Sequence, residues 1–196
     1  GLIRPPAATI GRTPEPPARD AGLWSFPEFF EKPGHPRRTV AAMRENASLE
    51  KIPAGAHPAL TAHRGASFEL PENTIPALER AVEVGADFIE FDLRATADDV
   101  PVLLHDPTVD RTSDGSGAVD RLSLAELRKL NFSCFRHGCR LDTPCFDRLE
   151  IPSFEEVLAR FRGRVCMNIQ VYARGAALAE ICRLCRVWRM ESCGYL

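Results

Sequence analysis

The chain reads as an α/β protein, and three observations carry that reading. Runs of strand character alternate with runs of helical periodicity from Ala59 onward, the pattern of strands and helices packed in layers. Capping and stop residues fall at the boundaries between runs. One run, DFIEFDLRA at 87–95, alternates apolar with charged residues, so its two faces meet different surroundings.

The elements follow in order. Residues 1–20 are rich in Pro and small residues and read as disordered. LWSFPEFF at 23–30 is an aromatic run that could dock on the domain, and VAAMRENASLEKI at 40–52 is a short helix candidate. Pro53 and Pro58 then punctuate the chain. Residues 1–58 are thus expected to form an N-terminal arm, and 59–196 the folded domain. ALTAHRG, 59–65, reads as a strand ending at Gly65. ENTIPALERAVEVGA follows as a helix capped by Asn73 or Thr74. Pro76 is tolerated in its first turn, Gly85 stops it, and Ile75, Leu78 and Val82 form its buried stripe.

DFIEFDLRA and VPVLLHD, 100–106, are the next two strands. The link between them is too short for a helical crossover. A hairpin turning near Ala97 to Asp99 sets Asp92 roughly opposite His105. A parallel pair joined by an extended segment brings both to one carboxyl-end mouth. Ser123-Leu-Ala-Glu126 and Ser153-Phe-Glu-Glu156 are capping boxes, the second opening the helix FEEVLARF. RVCMNIQVY, 164–172, is a strand. Residues 176–190 form a last helix with Leu178, Ile181, Cys185 and Trp188 on its apolar side, and GYL enters a further strand. A closed eightfold α/β barrel needs roughly 200 residues or more, so 59–196 hold about four of its strands.

Composition bounds the function. The chain has 196 residues, 44% of them hydrophobic, and a net charge of −2. The near-neutral balance argues against a general nucleic-acid binder. No apolar run approaches the ~20 residues of a membrane span. The first residues show no charged-then-apolar leader pattern. The chain starts at Gly1 rather than Met, which reads as a trimmed start. Seven cysteines in no regular spacing read as reduced thiols, which points to a reducing, cytoplasmic setting. Cys182 and Cys185 make a CxxC, but inside a helical pattern with no second pair, so they read as buried helix cysteines.

The chemistry concentrates on a few residues. Glu90 and Asp92 are two apart on a strand and share a face. Two carboxylates there repel each other, a conflict that an oxygen-preferring divalent cation such as Mg²⁺ or Ca²⁺ removes. A solvent-facing strand side is the alternative. His105 ends one strand and His63 another, a pair of acid/base candidates. Arg64 suits bidentate contact with phosphate. His35, His57 and His137 have no such setting and read as surface residues.

Taken together, these segments resemble the glycerophosphodiester phosphodiesterase family. The resemblance rests on HRG at 63–65, ENT at 72–74, EFD at 90–92, PV at 101–102, HD at 105–106 and DRTSDGSG at 110–117. It covers roughly residues 59 to 175. It implies a TIM-type barrel, here its first strand–helix units, that hydrolyses glycerophosphodiesters to glycerol 3-phosphate and an alcohol with a divalent ion. His63 and His105 would be the acid/base pair, and Arg64 would hold phosphate. Glu90 and Asp92 would bind metal, and Glu72 and Asn73 would orient the site. Residues 107–150 look like the family's inserted segment over the pocket. Where the family carries Glu and Lys on its fourth strand, this chain has Gln170 and Tyr172. Gln170 is then a neutral third ligand. Activity on lysophospholipids and a catalytically inactive binding module are the alternatives. Self-association through the exposed half-barrel is the expected protein contact.

Overall fold

The structure is a computed structural model, and it describes residues 59–136 and 139–195. The expected arm, its aromatic run, the helix at 40–52, and His35, His57 and His137 lie outside the described residues.

In chain order come β1 (Thr61–Ala62), α1 (Ile75–Glu83), β2 (Phe88–Ala95), β3 (Pro101–Leu103) and a one-turn α2 (Leu124–Leu127). Then follow the small hairpin β4 (Phe135–Arg136) and β5 (Cys139–Arg140), α3 (Phe154–Phe161), β6 (Cys166–Val171), α4 (Gly175–Val187) and β7 (Gly194–Tyr195). Among the described residues the main sheet runs β1-β2-β6-β7, with every one of these neighbours parallel. β3 lies antiparallel on β2. No helix among the described residues is long and apolar enough to cross a membrane.

β1 is shorter than the expected 59–65. Arg64 (φ 56°) and Gly65 (φ 79°) take left-handed backbone, so the chain leaves the sheet straight after Ala62. α1 is capped by Thr74, whose hydroxyl accepts from the Ala77 N–H. Both Ser153 and Ser123 form the expected capping boxes. α4 turns most of the expected stripe inward: Ile181 is buried and Cys185 and Trp188 pack against the core, but Ala177 and Leu184 are buried where Leu178 is exposed. The small side chain of Ala177 lets the helix approach the sheet closely, which leaves its larger neighbour outside. GYL does enter a strand, at the sheet edge.

The hairpin alternative holds for β2 and β3. Leu93 pairs with Leu103, and the Thr96 N–H donates to the Val100 carbonyl across the turn. Leu104 donates to the Asp92 carbonyl, so Leu104 rather than His105 lies opposite Asp92.

The two faces of the sheet differ sharply. Ile89, Phe91 and Leu93 join Met167, Ile169 and the buried sides of α1, α3 and α4 in the main core. The other face carries Glu90, Asp92 and Arg94 on β2, with Asn168 and Gln170 in register on β6. Val102 and Leu104, beside Arg94 and Asp92 in the hairpin, seed a second apolar cluster with Val109, Val119, Leu127 and Ile151. The segment at 107–150 thus builds its own small core on the carboxylate side of the sheet. All seven cysteines are free thiols, and Cys182 and Cys185 are half-buried on α4.

Candidate active site

The site forms where β1 ends beside the middle of β2. Ala62 pairs with Ile89, so the next residue, His63, faces Glu90. Its Nε2 lies 4.0 Å from Glu90 Oε2, and its side chain is 68% exposed. The left-handed turn then points the Arg64 N–H at Glu90 Oε2, 2.7 Å away. The Arg64 guanidinium is held from both sides: Nη1 donates to Glu72 Oε1 at 2.9 Å, and Nε lies 3.4 Å from Asp92 Oδ2.

Glu90 and Asp92 are 4% and 1% exposed, which excludes the solvent-facing alternative. Burial pushes the Glu90 carboxyl above its ordinary range, against the Arg64 N–H bond, and the charge of Asp92 adds to the rise. Asn73 is not the helix cap. It takes a left-handed conformation (φ 55°) and grips Asp92 twice. Its amide nitrogen donates to Asp92 Oδ2 at 2.9 Å, and its amide oxygen accepts from the Asp92 N–H at 3.3 Å.

Glu72 links this centre to the second histidine. Arg111 donates to both Glu72 oxygens, each at 2.8 Å, and through Nε to Asp106 Oδ2 at 2.6 Å. Burial alone would raise the Glu72 carboxyl, but the two arginines hold it below its ordinary range. Arg111 holds Asp106 at about 2, with His105 contributing. Asp106 Oδ1 lies 2.7 Å from His105 Nδ1. That contact favours the tautomer protonated at Nδ1 and leaves Nε2 as the basic nitrogen. His105 also meets the Tyr172 ring edge-on at 5.9 Å. No direct bond joins it to Glu90, Asp92 or His63. The connection runs His105–Asp106–Arg111–Glu72–Arg64–Asp92.

The donor set suits a hard divalent ion. The hydrogen bonds described to the two carboxylates land on Glu90 Oε2 and Asp92 Oδ2, which leaves Oε1 and Oδ1 for a cation. Gln170 is exposed and in register with Asp92, so its amide oxygen can serve beside them. Among the described residues no three His, Cys, Asp or Glu gather as a metal cluster. An ion here would therefore complete its shell with Gln170, solvent and substrate, the habit of Mg²⁺.

Three contributors escaped the sequence reading. Arg111 lies inside the DRTSDGSG match but was given no role. Asp106 adjoins His105. Arg94 stands two beyond Asp92 on the same strand face, and that spacing could have identified it.

The family model for the glycerophosphoryl diester phosphodiesterase family matches residues 63–180. Glycerophosphodiester phosphodiesterase 1 of Bos taurus is 44% identical over 107 residues, 55% of this chain and 30% of that protein. The crystal structure of a glycerophosphodiester phosphodiesterase from Agrobacterium tumefaciens superposes with a TM-score of 0.61 at 30% identity, over 70% of this chain and 56% of that one. An Oleispira antarctica phosphodiesterase, solved with the product sn-glycerol-3-phosphate, gives 0.56 at 26% identity, over 66% and 52%. The chain spans about a third of the bovine relative and about half of these solved structures. The solved relatives are TIM barrels, and the parallel sheet described here corresponds to part of one. From the HRG turn through β6, in sequence and in fold, the chain belongs to the glycerophosphoryl diester phosphodiesterase family.

Proposed function

We propose that this chain takes part in metal-dependent hydrolysis of glycerophosphodiesters to glycerol 3-phosphate and an alcohol. The observation that carries the reading is the buried Glu90–Asp92 pair with His63 at its open side and Arg64 beneath. The family depends on divalent cations. Glu90 and Asp92 would hold the ion, with Gln170 as a neutral third donor. When bound, it offsets charge on the phosphoryl group in the transition state.

The chain's own residues do the rest. His63 is exposed enough to meet substrate, and its Nε2 lies 4.0 Å from Glu90 Oε2 as the acid or base on this side. His105, steered by Asp106, presents Nε2 as the opposite acid or base. Arg64 contributes positive charge beside the carboxylates, toward the phosphate. Glu72 and Asn73 orient the site, Glu72 by tying Arg64 to Arg111 and Asn73 by fixing Asp92. In this reading 59–196 form the first strand–helix units of a barrel with 107–150 inserted. Further units, or a second copy at the β7 edge, complete the pocket wall. A phosphate-binding module without turnover is the second reading. It is favoured by one observation, the neutral Gln170 beside only two carboxylates.

The test is glycerophosphocholine hydrolysis by the purified chain with Mg²⁺ or Ca²⁺ and with chelator. Metal-dependent release of glycerol 3-phosphate, cut ~100-fold or more by His63→Ala and lost in Glu90→Ala, is the expected result. No release from a folded chain overturns hydrolysis by these residues alone and leaves the binding reading.

A further inference from the structure

Three arginines ring the carboxylates, and two of them are already engaged. Arg64 reaches Glu72 and Asp92. Arg111 closes a bidentate pair with Glu72 and also holds Asp106. The third, Arg94, differs. It shares the strand face of Glu90 and Asp92, one pleat beyond Asp92, about 7 Å along β2. Its Nε donates to the His105 carbonyl at 2.7 Å. Its guanidinium carbon lies 4.5 Å from the centroid of the Tyr172 ring. Among the described residues no carboxylate pairs with it, and its two terminal nitrogens make no described hydrogen bond. Half-buried, it is still reached by solvent.

This is the arrangement of an anion receptor at rest. The ring face attracts the cation and holds its plane, and the Nε bond stops rotation about the stem. The two terminal nitrogens are left with the parallel geometry that matches two oxygens of a phosphate. A cation meant only to balance the carboxylates would pair with one, as Arg64 and Arg111 do. We infer that Arg94, aimed by Tyr172, is a phosphate-binding residue of this site and contacts the phosphoryl group on the His105 side. The inference rests on reading the site as one for phosphodiesters. Tyr172 is a positioning residue, and its ring rather than its hydroxyl does the work.

Binding of sn-glycerol 3-phosphate to the full chain, with Mg²⁺ or Ca²⁺ present, tests this by calorimetry or ³¹P resonance shifts, with glycerol as control. Arg94→Gln should weaken the phosphate ligand at least tenfold, and Arg94→Lys should weaken it less. Tyr172→Phe should bind as the parent does, whereas Tyr172→Leu should lose several-fold. Circular dichroism confirms that each variant is folded. Arg94→Gln and Arg94→Lys both within twofold of the parent overturn the inference, as does equal loss in Tyr172→Phe and Tyr172→Leu. Turnover of glycerophosphocholine, run in parallel, separates this from the function itself. Arg94-dependent binding without turnover keeps the receptor and removes hydrolysis. Turnover indifferent to Arg94 keeps hydrolysis and removes the receptor. A parent chain that neither binds nor turns over removes both.

Discussion

Glu90 and Asp92 are two residues apart on β2, and both carboxylates are nearly excluded from water. Asp92 is compensated by Asn73 and Arg64, whereas Glu90 has one backbone N–H and a distant imidazole. Burial and the Asp92 charge therefore disfavour the ionised form of Glu90, and its carboxyl titrates above the ordinary range. A raised carboxyl costs stability above its unfolded pKa, and the cost disappears as the pH falls to where the unfolded chain protonates too. Glu90→Gln keeps the acceptor for Arg64 without the charge. In chelator at pH 7 its melting temperature should exceed the parent's, with the gain vanishing toward pH 4. The same variant should lose the stabilisation that added Mg²⁺ or Ca²⁺ gives the parent. A lower melting temperature in chelator would mean that the charge helps the fold. Most of this centre was legible in the sequence, because Glu90 and Asp92 declare a shared face by spacing alone. The engagement of Arg64 and Arg111 was not. Arg111 and Glu72 are 39 positions apart, beyond the reach of any local pattern.

The turn between β1 and α1 sets the direction of His63 and Arg64. Gly65 makes that turn possible. Its φ is 79°, and a Cβ there would lie 2.7 Å from the backbone carbon of Ala77. Gly65→Ala should lose about 2 kcal/mol or more in denaturant unfolding, since backbone strain and a clash with helix backbone add. Gly85 has a similar φ of 83° but open space around it. Gly85→Ala should therefore cost about 1 kcal/mol, from strain alone. Equal losses would mean that the approach of the turn to α1 is unimportant. Helix starts and capping boxes were legible because they are made by residues three apart. The inward stripe of α4 was legible only in part, at Ile181, Cys185 and Trp188. Leu178 and Ala177 both fit a helical stripe with Ile181, and only the closeness of the sheet selected Ala177.

Across the described residues, half-buried carboxylates held down by arginines tie the elements together. Glu79 on α1 takes Arg160 of α3 and the nearby Arg164, which overcome the rise that burial alone would cause. Glu72 and Asp106 bind Arg111 from the segment beyond β3. A depressed carboxyl contributes stability above its unfolded pKa and loses it as the pH falls through the folded one. All three shifts have this sign, and Asp106 sits at about 2. The folded signal in circular dichroism should hold at pH 5 and be lost between about 4 and 2. Arg111→Gln should move that midpoint upward by letting Glu72 and Asp106 protonate sooner. An unmoved midpoint would show that these pairs do not govern acid unfolding. The sequence by itself determined the alternation of strands and helices, their caps, and which face of β2 carries the carboxylates. Each of these is written in spacings of two to four residues, the reach of strand and helix geometry. Only the tertiary structure decided that His63 faces Glu90, that Gln170 lies beside Asp92, and that Arg94 alone of the three arginines keeps its terminal nitrogens open. Those outcomes depend on strand register and on ion pairs across tens of residues, and packing of the whole sheet against its helices sets both.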